Sequence, residues 1–302
     1  MYTFVSRPRN IQFRSSYSNK QSAYRLYLTL PTNRHIEEYN MSNLSNLKDI
    51  NLPFNTQPFR NFVTRRPLLT AFAAVSLVST PWLYNNYLHF LEIGPGALPY
   101  NVFGWLIALA LRPFARNTKT VDGYVRKGED EKGFLEGGFK ERRGGRPKMS
   151  WHVAPVRQLD RLASKDMNEK LDALFDQIVT LNPSLIQYAT SPHERLHNGI
   201  VLHPSLPAPH PVASHALREV AHIHPSDHSM HVVLAPKDCK IVIEKSWGER
   251  HPLSGSPVFK ILPKEYVGIY APRDDEELEV VKKILVASLK YMTGREDVVV
   301  PS

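Results

Sequence analysis

Only one cysteine, Cys239, occurs among the 302 residues, which excludes an intramolecular disulfide framework and mildly favours a reducing compartment. Signatures of a nucleotide, flavin or haem site are missing too. Residues 1–30 lack a continuous apolar core, so they do not form a secretory signal. The first 36 residues also lack acid, holding six Arg or Lys and no Asp or Glu. Rich in Arg and Ser, this stretch fits either a mitochondrial transit peptide or a disordered basic tail. The net charge of +9 comes without a groove-reading motif, and nucleic acid is not expected as a partner.

Long apolar runs are equally scarce. The longest, Pro67 to Tyr84, carries no charge and as a helix would reach about 27 Å, close to the roughly 30 Å of a bilayer core. Arg60, Arg65 and Arg66 precede it and Pro81, Trp82 and Tyr84 suit an interfacial end, so membrane lipid is an expected partner. Val102 to Leu111 is too short to cross alone and fits an interfacial or a buried core helix. One span with Arg65 and Arg66 inside would send the following domain to a lumen; a hairpin of both runs would leave it in the cytosol. Either way the chain is expected at an endomembrane, with a mitochondrial address as the other possibility.

What the chain does have is histidine. Between Leu217 and Pro252 stand five, four among strand-like apolar residues and the fifth in a closing Trp247-Gly-Glu-Arg-His-Pro252 turn. Alternation from Leu217 puts His222 and His224 on one face and Glu219 on the other. Pro225 to Ser229 supplies turn residues, so a hairpin would return His231 to the pair. His changes charge near neutral pH and is the commonest metal ligand, so such a cluster points to proton transfer or ligand chemistry. Any one of these residues alone is better read as structural.

Several motifs in order, Glu219-Val-Ala-His-Ile-His-Pro, Ser229-Met-His-Val-Val-Leu, Gly248-Glu-Arg-His-Pro-Leu-Ser-Gly255, Tyr270-Ala-Pro-Arg-Asp-Asp-Glu-Glu-Leu278 and Ala287-Ser-Leu-Lys-Tyr-Met-Thr-Gly294, resemble the fungal luciferase family. The likeness extends weakly upstream through Tyr87-Leu-His-Phe-Leu-Glu-Ile-Gly-Pro-Gly96. The resemblance implies an oxygenase without cofactor or metal, which adds molecular oxygen to a hydroxylated pyrone, loses carbon dioxide and leaves an excited product. Such chemistry needs a base near neutral pKa and a cation to hold the substrate anion. His222, His224 and His231 are the candidate bases, with Asp227 to orient an imidazole. Arg250 and His251 are candidates to bind the substrate's oxygens, and Trp247 either stacks on its ring or packs in the core. The other reading is a membrane-attached protein of the same fold that is non-catalytic or binds metal.

The remaining elements are ordinary. A helix over Asp166–Val179 presents Leu171, Leu174, Phe175 and Ile178 on one stripe. Strands are expected at Leu185–Ala189, Ile200–His203 and Tyr266–Tyr270, and a short helix from Cys239 to Ser246 capped by Asp238. Asp274 and Gly294 bracket a helix with acid early and lysine late. The result is an α+β fold, a mostly antiparallel sheet with packed helices, preceded by a membrane-anchoring segment. Its expected parts are a disordered extension over 1–60, apolar segments over 61–120, a Gly-rich charged linker over 121–149 and the luciferase-like domain over 150–297.

Overall fold

In a computed structural model of the chain, residues 55–124, 132–135 and 138–301 are described. The expected disordered extension therefore lies outside the described residues up to 54, and its last few positions enter a helix, α1, over Gln57–Arg65 that buries none of its side chains.

The first apolar run extends further than the sequence suggested. Helix α2 runs Pro67–Glu92, passing through Pro81 and the aromatic residues expected to end it. Among the described residues it is the one helix long and apolar enough to span a membrane. Its first two thirds expose Leu68, Phe72, Val75, Leu77 and Val78, while Phe90 near its end is buried. There it packs on α3 (Val102–Leu111), whose Trp105 and Ala108 close a small separate core. Trp105 Nε1 donates to Asn86 at 2.8 Å, and Asn101 caps α3. α3 is thus half buried against α2, with Phe103 and Leu106 still exposed.

The main core is a six-stranded antiparallel sheet in the order β1-β2-β3-β4-β6-β5. Its strands are β1 (Ile186–Thr190), β2 (Asn198–Leu202), β3 (Glu219–Ile223), β4 (Met230–Val233), β5 (Gly248–Arg250) and β6 (Tyr266–Ile269). Helices α4 (Lys165–Leu181), α5 (Pro211–His215), α6 (Pro236–Glu244) and α7 (Asp275–Thr293) complete it. α4 buries the expected stripe Leu171, Leu174, Phe175 and Ile178, with Met167, and Ser164 caps it. α7 is capped by Asp274 and stopped by Gly294 at φ +67°, as the charge order and the glycine required. Fully burying one aliphatic side chain of this kind stabilises the fold by roughly 1.5–3 kcal/mol.

α6 starts earlier than expected. Pro236 opens it, because a first-turn residue needs no N–H. Asp238 is therefore inside the first turn, and its carboxylate accepts instead from the backbone N–H groups of Phe134 and Leu135. The described residues of the segment carrying them form no regular element and pack on the domain. Arg142, fully buried, donates to Ala271 O at 2.8 Å and to Glu277 Oε2 at 3.1 Å. Arg273 grips the same carboxylate.

Removing one partner of a buried ion pair strands the other charge, at a cost of about 3–5 kcal/mol. Glu277→Ala should therefore lower the unfolding free energy by about that amount in chemical denaturation. A change inside about 1 kcal/mol would show that Arg142 is not held by this pair.

Candidate functional site

β3 and β4 pair so that His222 stands directly opposite His231, and His231 in turn faces Gly268 on β6. Side chains alternate along a strand, so His222, His231 and the next same-face residue, His224, emerge together. The ring centroids are 5.3 Å (His222 to His231), 5.2 Å (His222 to His224) and 4.8 Å (His224 to His231) apart. Tyr266 lies flat on His231 at 4.7 Å, and His251 meets the same ring edge-on at 5.2 Å. All of them are buried.

Each imidazole of the triplet is fixed through one ring nitrogen. His222 Nδ1 meets Glu219 Oε1 at 2.5 Å, and the other oxygen of that carboxylate accepts from Ser191 Oγ. This corrects the expected orientation of Glu219. Leu217 and Arg218 have φ of +52° and +67°, so the strand begins only at Glu219, and a register shift against β2 at Ile200/Val201 breaks the alternation there. His224 Nδ1 meets Ser229 Oγ at 2.9 Å, and Ser229 donates its one proton to Asp227 Oδ2 at 2.6 Å. Ser229 must then accept, which assigns the His224 proton to Nδ1 and a lone pair to Nε2. Asp227 acts on His224 through the serine, and it also accepts from Gln158 N. His231 is bonded to the backbone of Val267.

The second nitrogens have nothing. His222 Nε2, His224 Nε2 and His231 Nδ1 are buried without a hydrogen-bond partner, and one ring nitrogen from each residue lies within 4.8 Å of the others.

Burial, helped by the charge of Arg157 and by neighbouring histidines, holds His224 well below its ordinary pKa. Burial does the same to His231, with His251 and His222 adding to it. His251 is pushed down to about 3 by burial and by His193 and His222; its Nδ1 also accepts from Leu253 N. Burial alone would push Glu219 up, but the charge and hydrogen bond of His222 outweigh it and hold the carboxyl below the usual range. His224, His231 and His251 are thus held neutral, beside an ionised Glu219 carboxylate that pairs with His222.

Two expected residues lie elsewhere. Arg250 neighbours His251 in sequence but projects to the opposite face, where it sits 4.4 Å over the Tyr124 ring and donates to Asp122 O. Trp247 packs edge-on against Phe139, bonds Lys140 O, and lines a cavity of about 690 Å³ that no cluster histidine borders. Two further cavities, of about 450 and 480 Å³, are lined by other segments as well. The buried cation near the cluster is Arg157, paired with Glu194. Neither was legible, since both come from irregular segments remote in sequence. Glu194 belongs to His193-Glu-Arg-Leu-His197, which has the spelling of a zinc-protease motif and escaped the sequence reading. That motif requires a helix, whereas here it is the turn between β1 and β2, with Arg195 at φ +66°. His193 bonds Ala216 O and packs on Tyr266.

An antiparallel α+β sheet with buried imidazoles converging on one face defines a histidine-centred site. The segment that builds it, residues 217–288, matches the model of the Luciferase domain family. The chain is 35% identical over 244 residues to a luciferase of Armillaria ostoyae, covering 77% of this chain and 91% of that one. It is 34% identical to a luciferase of Neonothopanus nambi, over 72% of this chain and 84% of that one. The chain belongs to the fungal luciferase family. No solved structure matches it.

His224, His231 and His251 have folded pKa values below the roughly 6.5 of an unfolded histidine. As pH falls, the unfolded chain takes up protons before the folded one, so the stability present above about pH 6.5 is lost below it, at about 1.4 kcal/mol per pH unit for each such group. Melting temperature should be flat above about pH 7 and fall towards about pH 5. His251→Asn keeps an acceptor for Leu253 N–H and should make the fall shallower. An equal slope in the variant would remove His251 from this account.

Proposed function

We propose that this protein is a luciferase-like oxygenase that adds molecular oxygen to a hydroxylated pyrone or a similar electron-rich aromatic, and that the histidine cluster is where the substrate's hydroxyl is ionised. One observation carries this reading. His222, His224, His231 and His251 all lie in the segment matched by the Luciferase domain, 217–288, and gather on one sheet face.

Oxygen reacts slowly with neutral closed-shell molecules and faster with electron-rich anions. A neutral imidazole with a free lone pair can take up the hydroxyl proton, an effect worth about 10²–10⁴ in rate. The anion then supplies the electrons: a carbon–oxygen bond forms, both oxygen atoms enter the adduct, and loss of carbon dioxide breaks the O–O bond. No external reductant and no organic cofactor takes part. Arg157 takes over from Arg250 as the cation on hand for the developing charge. All four histidines are buried, so substrate reaches them only when covering residues move aside.

The same proposal includes attachment to an endomembrane through α2, supported by its 26 residues and its exposed apolar side chains.

Oxygen uptake by the purified full-length protein on a panel of hydroxypyrones tests the chemistry. His222→Gln and His224→Gln should each lower turnover by roughly 10²-fold or more while the fold persists. Full activity in both folded variants would reduce the cluster to a structural feature.

Membrane fractionation tests the anchor. Val75→Arg with Val78→Arg puts two charges at mid-helix, each opposed by about 2.5–3.5 kcal/mol, and should move the protein to the soluble fraction. Wild-type protein that is soluble without detergent would overturn the anchor.

A further inference from the structure

We propose that His222, His224 and His231 together bind one divalent first-row transition-metal ion through one ring nitrogen each. A general base needs a single nitrogen. Here one ring nitrogen from each of three buried histidines on two paired strands lies within 4.8 Å of the others, and each ring keeps one nitrogen without a hydrogen-bond partner. An unsatisfied buried polar atom costs about 1–3 kcal/mol, so three together are an expensive arrangement unless something occupies the point they share.

The backing of the rings is that of a ligand set. A metal-binding histidine donates its other N–H to a carboxylate, a carbonyl or a polar side chain, which fixes its tautomer and its aim. His222 is backed by Glu219, His224 by Ser229 and through it Asp227, and His231 by the Val267 backbone. The two carboxyl groups stand one step behind the ligands, where they meet the ion's charge; the nearby Arg157 is engaged by Glu194.

Donor chemistry selects the ion. Three imidazoles and no first-rank carboxylate suit zinc, iron, cobalt, nickel or copper, and not magnesium or calcium. Metal–nitrogen bonds of about 2.0–2.1 Å would bring the nitrogens to about 3.4 Å from one another, so binding draws the rings in by on the order of 1 Å. Three protein ligands leave a position open. There the ion would hold the ionised oxygen of the substrate, a role that rests on the oxygenase reading, whereas the site itself does not. This departs from the metal-free expectation that the family resemblance carried.

The test uses full-length protein in detergent, stripped with a chelator, reloaded with Co²⁺ and then freed of excess ion. About one Co²⁺ per chain, with visible d–d absorption of a nitrogen-ligated ion, is expected. His224→Gln should abolish it, Glu219→Gln should weaken affinity about 10- to 100-fold, and His203→Gln on the loop after β2 should change nothing. If His224→Gln fails to fold, the wild-type protein still decides: Zn²⁺ must raise its melting temperature and compete with Co²⁺. Folded, stripped wild-type protein that binds neither ion overturns the site, as does a folded His224→Gln that binds like wild type. Oxygen uptake on the same samples separates the two proposals. Ion binding without uptake keeps the site and removes the oxygenase; uptake without ion binding does the reverse.

Discussion

The constraint on which this structure turns is the burial of three imidazoles on one face of a central strand pair. Burying a polar ring is tolerable only where its nitrogens are engaged. Much of the surrounding architecture does that engaging: Glu219 at the head of β3, Ser229 and Asp227 in the β3–β4 turn, and Ser191 behind Glu219. Each reaches only one nitrogen of its histidine. The opposite face of the same strands is apolar, and α7 covers it, with Ser288 donating to the carbonyls of Val220 and Val233. A sheet buried on both faces normally reads as continuous hydrophobic sequence. Here one face is polar and enclosed, an arrangement that stability alone would not favour, since apolar residues of like volume would satisfy it more simply.

How much of this was legible follows from distance along the chain. The histidine triplet was, because the alternation of His222 and His224 and the turn before Ser229 are local signals. α4 and α7 were legible for the same reason, through stripe, caps and charge order. Glu219 was misread because strict alternation was assumed through β3, whereas the register shift against β2 breaks it, and nothing in the residue types announces that shift. Arg250 was assigned by adjacency to His251, yet strand geometry sends neighbours to opposite faces; Trp247 lies just before β5, where Phe139 and Lys140 hold it. Tyr266 was read only as a strand residue, and its place on His231 depends on β6 pairing with β4. Arg157 and Glu194 come from loops and carry no periodic signal at all.

Pro81 shows that a proline inside an apolar run need not end its helix. In a water-exposed helix a proline ends or kinks the chain, and this one was read as an end. The helix nevertheless continues for eleven residues to Glu92; Pro81 removes only the one N–H that would bond the Leu77 carbonyl, while the hydroxyls of Ser79 and Thr80 bond the Ser76 carbonyl beside it.

The last link joins that helix to the site. Beyond α2 the chain turns through Pro95 and Gly96, and Arg157 donates to the Pro95 carbonyl at 2.9 Å. A side chain at Gly96 would meet Pro155 at 2.7 Å and Arg157 at 3.1 Å, so the two segments are in close contact. Asn86 on α2 adds a bond to His152, which lies on the same loop as Arg157. Arg157 is also the charge that helps hold His224 and His231 neutral. The segment at the end of the apolar helix therefore helps fix the guanidinium beside the histidine cluster. A boundary drawn near residue 150 would separate Arg157 from the Pro95 carbonyl that positions it, and the family likeness that begins upstream of that point has a physical reason to do so.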